Sequence, residues 1–415
     1  MPGKKIELLA PAGDFEKLKT AIHFGADAVY IGGKEFSLRR HSGNFTTGEI
    51  ADAISLARRH DVKIYVACNV FARNHEQKQI DRYLSQLAEI GPDAVIVADP
   101  GIFMAARPIL GDIDIHISTQ ANTTSILSAR FWALQGASRI NAARELSLSE
   151  IKAIASTVPI AVEAFVHGAM CMAWSGRCLL SHFLAARDGN RGLCAHACRW
   201  RYHLVEEKRP GQYIPVEEDE RGAYFFSARD LCMIDHLPDM IEAGISSLKI
   251  EGRMKGLNYL AATVGTYRRA IDAYYDDPAA YRVDDSWRNE LETVNYRGYS
   301  TGFYMDDTAG TIPVYDQAKR AADQRYIGKI LWVNGDFKIT TDIKNRISKN
   351  ARVEIIGREG PARANRVVRI AIDGDPDVPV AQPNTRATLE LENADAFNPG
   401  DIVRLSPSGC PRSTP

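Results

Sequence analysis

Eight apolar runs of strand length, most of them followed by a stretch of helical texture, constrain this chain more than anything else in it. They are Ile6–Ala10, Ala28–Ile31, Lys63–Cys68, Ala94–Ala98, Ile113–Ile117, Ser138–Asn141, Ile160–Val166 and Ser247–Ile250. Between them, helices are predicted over Phe15–Phe24, Gly48–Arg59, Glu76–Ile90, Ile126–Leu134 and Ser149–Ser156. A helical crossover returns the chain to the same end of a sheet, so alternating strands and helices pair in parallel. Eight such units close into a (β/α)8 TIM-like barrel. An open doubly wound sheet is the competing α/β architecture. A G-x-G-x-x-G turn after the first strand would favour it, but that turn reads Pro11-Ala12-Gly13-Asp14.

In such barrels the reactive groups lie on the loops after the strand C-termini. Here those loops hold Asn69, Asp99-Pro100, Ser118-Thr119-Gln120, Arg144-Glu145 and Glu251-Gly252-Arg253. The loop after the seventh strand runs from about residue 167 to 230, before a helix expected near Leu231–Ala243. A connection of that length in a compact domain marks function rather than mere linkage. The barrel domain is assigned to 1–275 and a polar linker or extension to 276–325. From 326 to 407, short apolar runs separated by Asn334-Gly335 and Gly360-Pro361 turns predict a small C-terminal β-barrel, followed by a tail at 408–415.

The long insertion concentrates thiols. Cys171, Cys178, Cys194 and Cys198 are four of the seven cysteines in 415 residues. Thiolates ligate soft metals and iron–sulfur clusters. Three outcomes fit the spacing: buried reduced thiols, a structural zinc site, and an iron–sulfur cluster. For zinc only Cys194–Cys198 has the usual short pairing. A cluster needs its thiolates only to converge in space. Cys232 is a reserve ligand, Cys68 at the end of the third strand reads as a small buried hydrophobe, and Cys410 lies in the tail.

Arg144, Arg177, Arg199 and Arg253 fall at the predicted mouth or its insertion. Several guanidinium groups at one mouth point to an anionic substrate, unless each pairs with a neighbour such as Glu145 or Glu251. Gln120, Arg177, Lys249, Glu251 and Arg253 form the candidate substrate-binding set. Glu163 sits inside an apolar strand, which is costly for a carboxylate unless it is paired or working. His167, just past that strand, is a candidate proton carrier. Glu163, His167 and Arg144 are thus the candidate catalytic groups, with Lys249 either a site residue or Glu163's ion-pair partner on the adjacent strand.

A net charge of −1 leaves no global field for nucleic acid, so any RNA contact must use a local patch. No apolar run approaches the length of a membrane span. The start lacks a signal-peptide core, and an odd cysteine count suits reduced thiols, so a cytoplasmic protein is expected. HExxH, G-x-S-x-G, P-loop and EF-hand motifs are absent, which leaves a serine or zinc hydrolase unsupported.

The run EAFVHGAMCMAWSGRCLLS (163–181) resembles the signature of the collagenase-like peptidase family, barrel proteins first labelled proteases. ELLAPAGDFEKLKTAIHFGADAVYIGG (7–33), STQAN (118–122), ARELSLSEI (143–151), SARDL (227–231) and SLKIEGRMK (247–255) resemble further blocks of the family. NRGLCAHACRWRY (190–202), RPGQYIP (209–215) and YRGYSTGFY (296–304) are similar to its prephenate-dependent, tRNA-hydroxylating branch. The resemblance implies a 4Fe-4S iron–sulfur cluster on Cys171, Cys178, Cys194 and Cys198, with iron–sulfur assembly proteins as partners. It also implies synthesis of 5-hydroxyuridine at the tRNA wobble position without molecular oxygen, with prephenate as hydroxyl donor. The two carboxylates of prephenate suit an arginine-rich mouth, and the target uridine must leave its stack to enter. Lys319, Arg320, Arg325, Lys329 and Arg352 are either RNA-backbone contacts or a solvated face. Other members of the family hydroxylate a ribosomal RNA cytidine or quinone precursors, and the old label keeps a peptidase as the alternative. The chain departs from the family pattern at Ala195-His196 and at Asn141.

Overall fold

The computed structural model describes residues 5–38, 43–171, 173–174, 176–200, 218–219, 222–223, 229–294, 296, 298–305, 326–335 and 337–406. Each predicted run is a strand: β1 Glu7–Pro11, β2 Ala28–Gly32, β3 Lys63–Cys68, β4 Ala94–Val97, β5 Asp114–Ile117, β6 Arg139–Asn141, β7 Ala161–Ala169 and β8 Ser247–Ile250. Neighbours pair in parallel, and β8 pairs with both β1 and β7, which closes an eight-stranded barrel. Parallel strands covered on both faces read as unbroken apolar runs. That is why β2 and β4 are buried along their whole length.

The helices follow from local chemistry. In α2 (Thr47–Arg58) and α6 (Leu148–Thr157) reciprocal bonds between Thr46 and Glu49, and between Ser147 and Glu150, satisfy orphan N–H groups of the first turn. The predicted helices at Phe15, Gln77 and Ile126 are present as α1 (Phe15–His23), α3 (Gln77–Ile90) and α5 (Ile126–Gln135). A further helix, α4 (Pro100–Leu110), occupies a stretch for which the sequence predicts no helix. Asp99 accepts from the N–H groups of Gly101 and Ile102, and Pro100 sits in the first turn, where it needs no partner. Pro108 resembles a breaker in sequence, but it falls in the last turn.

Two expectations around the insertion are corrected. β7 runs to Ala169, so His167 lies within the strand rather than past it. The helix expected near Leu231–Ala243 begins only at Leu237, as α8 (Leu237–Glu242) after the six-residue α7 (Leu180–Ala185) of the insertion. Asp230–Cys232 is instead a short strand, antiparallel to β7, with Cys232 opposite His167. The overhang of β7 presents backbone groups that need partners, and this strand supplies them.

Contacts divide the chain into two compact units. The barrel belongs to the first, which comprises Met1–Leu18, Ala26–Lys255 and Tyr296–Arg320. The second comprises Lys19–Gly25, Gly256–Asn295 and Ala321–Pro415. It holds α9 (Leu257–Asp276), α10 (Asp285–Glu292) and the predicted small β-barrel. That barrel has six antiparallel strands: β9 Tyr326–Val333, β10 Lys338–Asp342, β11 Arg352–Ile356, β12 Arg363–Ile372, β13 Arg386–Leu391 and β14 Ile402–Leu405. They close in the order β9-β10-β13-β12-β11-β14 around Ile327, Ile339, Val353, Ile370 and Leu389. Buried Arg404 on β14 donates to Glu290 of α10 at 2.7 and 2.8 Å and to Glu354 of β11 at 2.9 Å. No helix among the described residues is long and apolar enough to cross a membrane.

Candidate active site at the barrel mouth

The barrel interior is polar along one side. Glu163 on β7 is 2% exposed. It accepts from Lys249 of β8 at 2.7 Å, from Asn141 of β6 at 2.8 Å and from Arg139 of β6 at 3.3 Å. Arg139 also donates to Glu7 of β1 at 2.6 Å, and Glu7 accepts from Tyr65 at 2.7 Å and Ser247 at 2.8 Å. Two carboxylates thus face two cations, which makes their shared burial tolerable. Lys249 is indeed Glu163's ion-pair partner. Burial draws the Lys249 ammonium below the ordinary lysine range, with Glu163 pulling the other way.

Above that network lies a cavity of about 90 Å³ at the C-terminal ends of the strands. Gln120, Arg144, Lys249, Glu251 and Arg253 all line it, so the barrel gathers five residues that are far apart in sequence. Tyr30 and Phe165 supply aromatic walls. The Arg144 guanidinium lies 4.1 Å from the centroid of Phe165 and donates to Cys171 Sγ at 3.3 Å. Gln120 Oε1, Asn141 Oδ1 and Arg144 Nε are buried without a hydrogen-bond partner. All three belong to residues that line the cavity, so polar groups with unused hydrogen-bonding capacity stand at its wall. Arg253 instead holds the loop after β2, donating to Ser37 Oγ at 2.9 Å and to the Leu38 carbonyl. A Cβ at Gly32 would fall on the Arg253 guanidinium and Ser37 Oγ and displace that contact.

The cysteine insertion forms one wall through Gly189 and Gly192. Arg191 anchors it, donating to Glu76 and to the Phe71 carbonyl, and Asn190 donates to the Cys178 carbonyl at 2.8 Å. Cys171 is exposed and Cys178, Cys194 and Cys198 are half-buried; none of the six described cysteines is disulfide-bonded. Among the described residues no three Cys, His, Asp or Glu side chains converge as a single metal ion would require. An iron–sulfur cluster spreads its thiolates over separate irons, and four reduced thiols on one insertion are the donor chemistry it needs. Cys68 is fully buried, and burial pushes its thiol up to about 12, which fits the small-hydrophobe reading. Cys410, Lys319, Arg320 and Arg325, together with the Arg199 side chain, lie outside the described residues.

A profile described as peptidase family U32 matches residues 13–312. The chain belongs to that family. Among its relatives, the tRNA hydroxylation protein P1 of Bacillus subtilis is 39% identical over 357 residues, covering 86% of this chain and 84% of that one. The tRNA hydroxylation protein P of Escherichia coli is 35% identical over 397 residues, with 86% and 87% covered. An Escherichia coli 23S rRNA 5-hydroxycytidine synthase is 35% identical over 321 residues, covering 76% of this chain but only 47% of its own.

Within this U32 barrel some predicted site residues lie away from the cavity. Arg177 is exposed and does not line it. His167 is fully buried, 5.2 Å from the ring centroid of Tyr299, and Cys232 is its cross-strand neighbour. Burial holds the imidazole pKa at about 3, with Asp230 pulling it up. Unfolded, the same ring takes up a proton near about pH 6.5. The unfolded chain therefore binds more protons between those values, and His167 makes stability fall by about 1.4 kcal/mol per pH unit as pH drops through them. Urea unfolding of His167→Gln should show a shallower acid slope than wild type; an identical slope would show that this ring is not responsible. Sequence reasoning overlooked Arg139, whose signal was a basic residue in the strand beside Glu163. It also left Asn69 and Ser118 unassigned, although both line the cavity and Asn69 donates to Ser118 at 3.3 Å.

Proposed function

We propose that this U32 protein hydroxylates RNA, with tRNA as substrate, forming 5-hydroxyuridine at the wobble position with prephenate as hydroxyl donor. The observation that carries this reading is the cavity where Arg144 and Lys249 stand with the orphaned Gln120 and Asn141 oxygens, walled by the cysteine insertion. Arg144, Lys249 and Arg253 line it with one carboxylate, Glu251, an excess of positive charge that suits a dicarboxylate, and amide oxygens suit its hydroxyl or a base edge. The relatives named for tRNA hydroxylation match across most of their length, which supports tRNA over the ribosomal substrate. Cys171, Cys178, Cys194 and Cys198 would hold an iron–sulfur cluster. When bound, it would supply the redox-active centre for a hydroxylation that uses no molecular oxygen.

The chain's own groups bind and orient. Arg144 is the link, since one guanidinium touches both the cavity and Cys171. At about 90 Å³ the cavity is smaller than the roughly 300 Å³ of typical ligand pockets. Arg144→Ala should raise the prephenate concentration needed for half-maximal hydroxylation by about 10- to 100-fold, the cost of one charge-assisted bidentate contact. An unchanged requirement would remove Arg144 from the site. The test of the function itself is nucleoside mass spectrometry of total tRNA from a strain lacking the gene, with and without complementation. Loss and restoration of 5-hydroxyuridine derivatives is expected; an unchanged tRNA profile, with redundant enzymes deleted, would end the reading.

A further inference from the structure

The insertion has a second face that the cavity does not use. Trp174, Leu179 and Phe183 are 54%, 57% and 78% exposed, far more than side chains of this size usually are. They share residues 171–200 with four arginines (Arg177, Arg187, Arg191 and Arg199) against one acidic residue, Asp188, in a chain whose net charge is −1. Among the described side chains Arg191 is paired with Glu76, so Arg177, exposed beside Trp174, and Arg187 supply the positive charge among these aromatics.

Its position relative to the cavity follows from one turn. The Arg177 N–H donates to the Trp174 carbonyl at 2.9 Å, and Gly176 within that turn has φ +74°. Gly176 is seated so closely on cavity-lining Gln120 that a Cβ there would stand 2.5 Å from the Gln120 carbonyl oxygen. The turn thus rests on the cavity rim through Gly176 and carries Trp174 and Arg177 exposed beside it. The next turn leads into α7, where the N–H of Phe183 bonds the Leu179 carbonyl at 3.1 Å and Phe183 itself stands in solvent.

We infer that this rim is a stacking platform for the unpaired RNA bases that flank the reacting nucleotide. The inference rests on the proposed RNA substrate and goes further by assigning the surface that receives it. A nucleotide that leaves its stack to enter a barrel strips its neighbours of a stacking partner. Exposed indole and phenyl faces at the cavity edge replace what is lost, whatever the base. The arginine charge matches the phosphates running alongside. A purely apolar protein partner would not call for cations among the aromatics.

The test is the affinity of the full-length protein for a fluorescent anticodon stem-loop RNA, measured across salt concentrations. Trp174→Ala and Phe183→Ala should each weaken binding about tenfold, with the salt dependence unchanged. Phe183→Tyr keeps the π-face and should bind like wild type. Arg177→Gln should weaken binding and lower the slope of log affinity against log salt by about one. Unchanged binding by the Trp174→Ala/Phe183→Ala double variant, with wild-type thermal stability, would overturn the inference and leave the proposed function standing. So would a concentration-dependent dimer that Phe183→Ala dissolves while RNA affinity is kept, since the face would then be a protein interface. Wild type that binds no stem-loop and leaves tRNA unmodified would instead overturn the functional reading beneath it.

Discussion

Anaerobically purified Cys171→Ala protein is expected to lose its iron, its acid-labile sulfide and its visible absorbance, and to leave tRNA hydroxylation below about a hundredth of wild type. Cys171 lies just past the end of β7, exposed, in the run that leads into the insertion. Its removal therefore opens no cavity in the barrel core, so the barrel should stay folded, while loss of the cluster withdraws its binding energy from the insertion. Far-UV circular dichroism should keep the barrel's signal while the metal content collapses. The Arg144 contact sharpens the expectation, because the same guanidinium that donates to Cys171 Sγ lines the cavity. Loss of this thiol should thus disturb substrate binding as well as cofactor retention. Retained iron and sulfide would transfer the ligand role to Cys232, whose backbone pairs with His167. Zinc in place of iron in the wild-type protein would make the insertion a structural site and end the redox reading.

The barrel was legible because its physics is local. Strands covered on both faces cannot carry polar alternation, so eight apolar runs stood out, and capping pairs such as Ser147 with Glu150 mark helix starts within four residues. What escaped depends on partners distant in sequence. Asp230–Cys232 is a strand only because β7 overhangs the barrel beside it, and nothing in residues 227–236 announces that neighbour. The same overhang buries His167, which looked like a loop residue when the strand was ended at Val166. α4 is missing from the expected helices although Asp99 before Pro100 is itself a start signal. The candidate site divides the same way. Gln120, Arg144, Lys249, Glu251 and Arg253 were found because barrel topology dictates which loop ends meet. Arg177 lies on the insertion, as expected, but exposed beside the cavity instead of lining it, because the orientation of its side chain follows from packing such as Gly176 on Gln120.

Glu163→Ala should destabilise the barrel by about 3–5 kcal/mol, the usual cost of removing one member of a buried ionic group. The carboxylate accepts from Lys249, Asn141 and Arg139 together, so its loss leaves Lys249 buried without its carboxylate and Arg139 with Glu7 alone. For a unit of this size that corresponds to roughly a 10 °C fall in the unfolding midpoint. Glu163→Gln keeps the volume and one acceptor, and should lose less. The decisive variant is Glu163→Leu combined with Lys249→Met, which removes the pair and refills the space with apolar atoms. Its stability should recover to within about 2 kcal/mol of wild type, because replacing a buried pair is often neutral where breaking it is not. Hydroxylation should not recover, since Lys249 is one of the cations held beside the orphaned oxygens of the cavity. Stability restored without activity would show that the pair serves the site and not only the fold. Activity restored with stability would return both residues to the barrel core, leaving Arg144 to recognise the anion without Lys249.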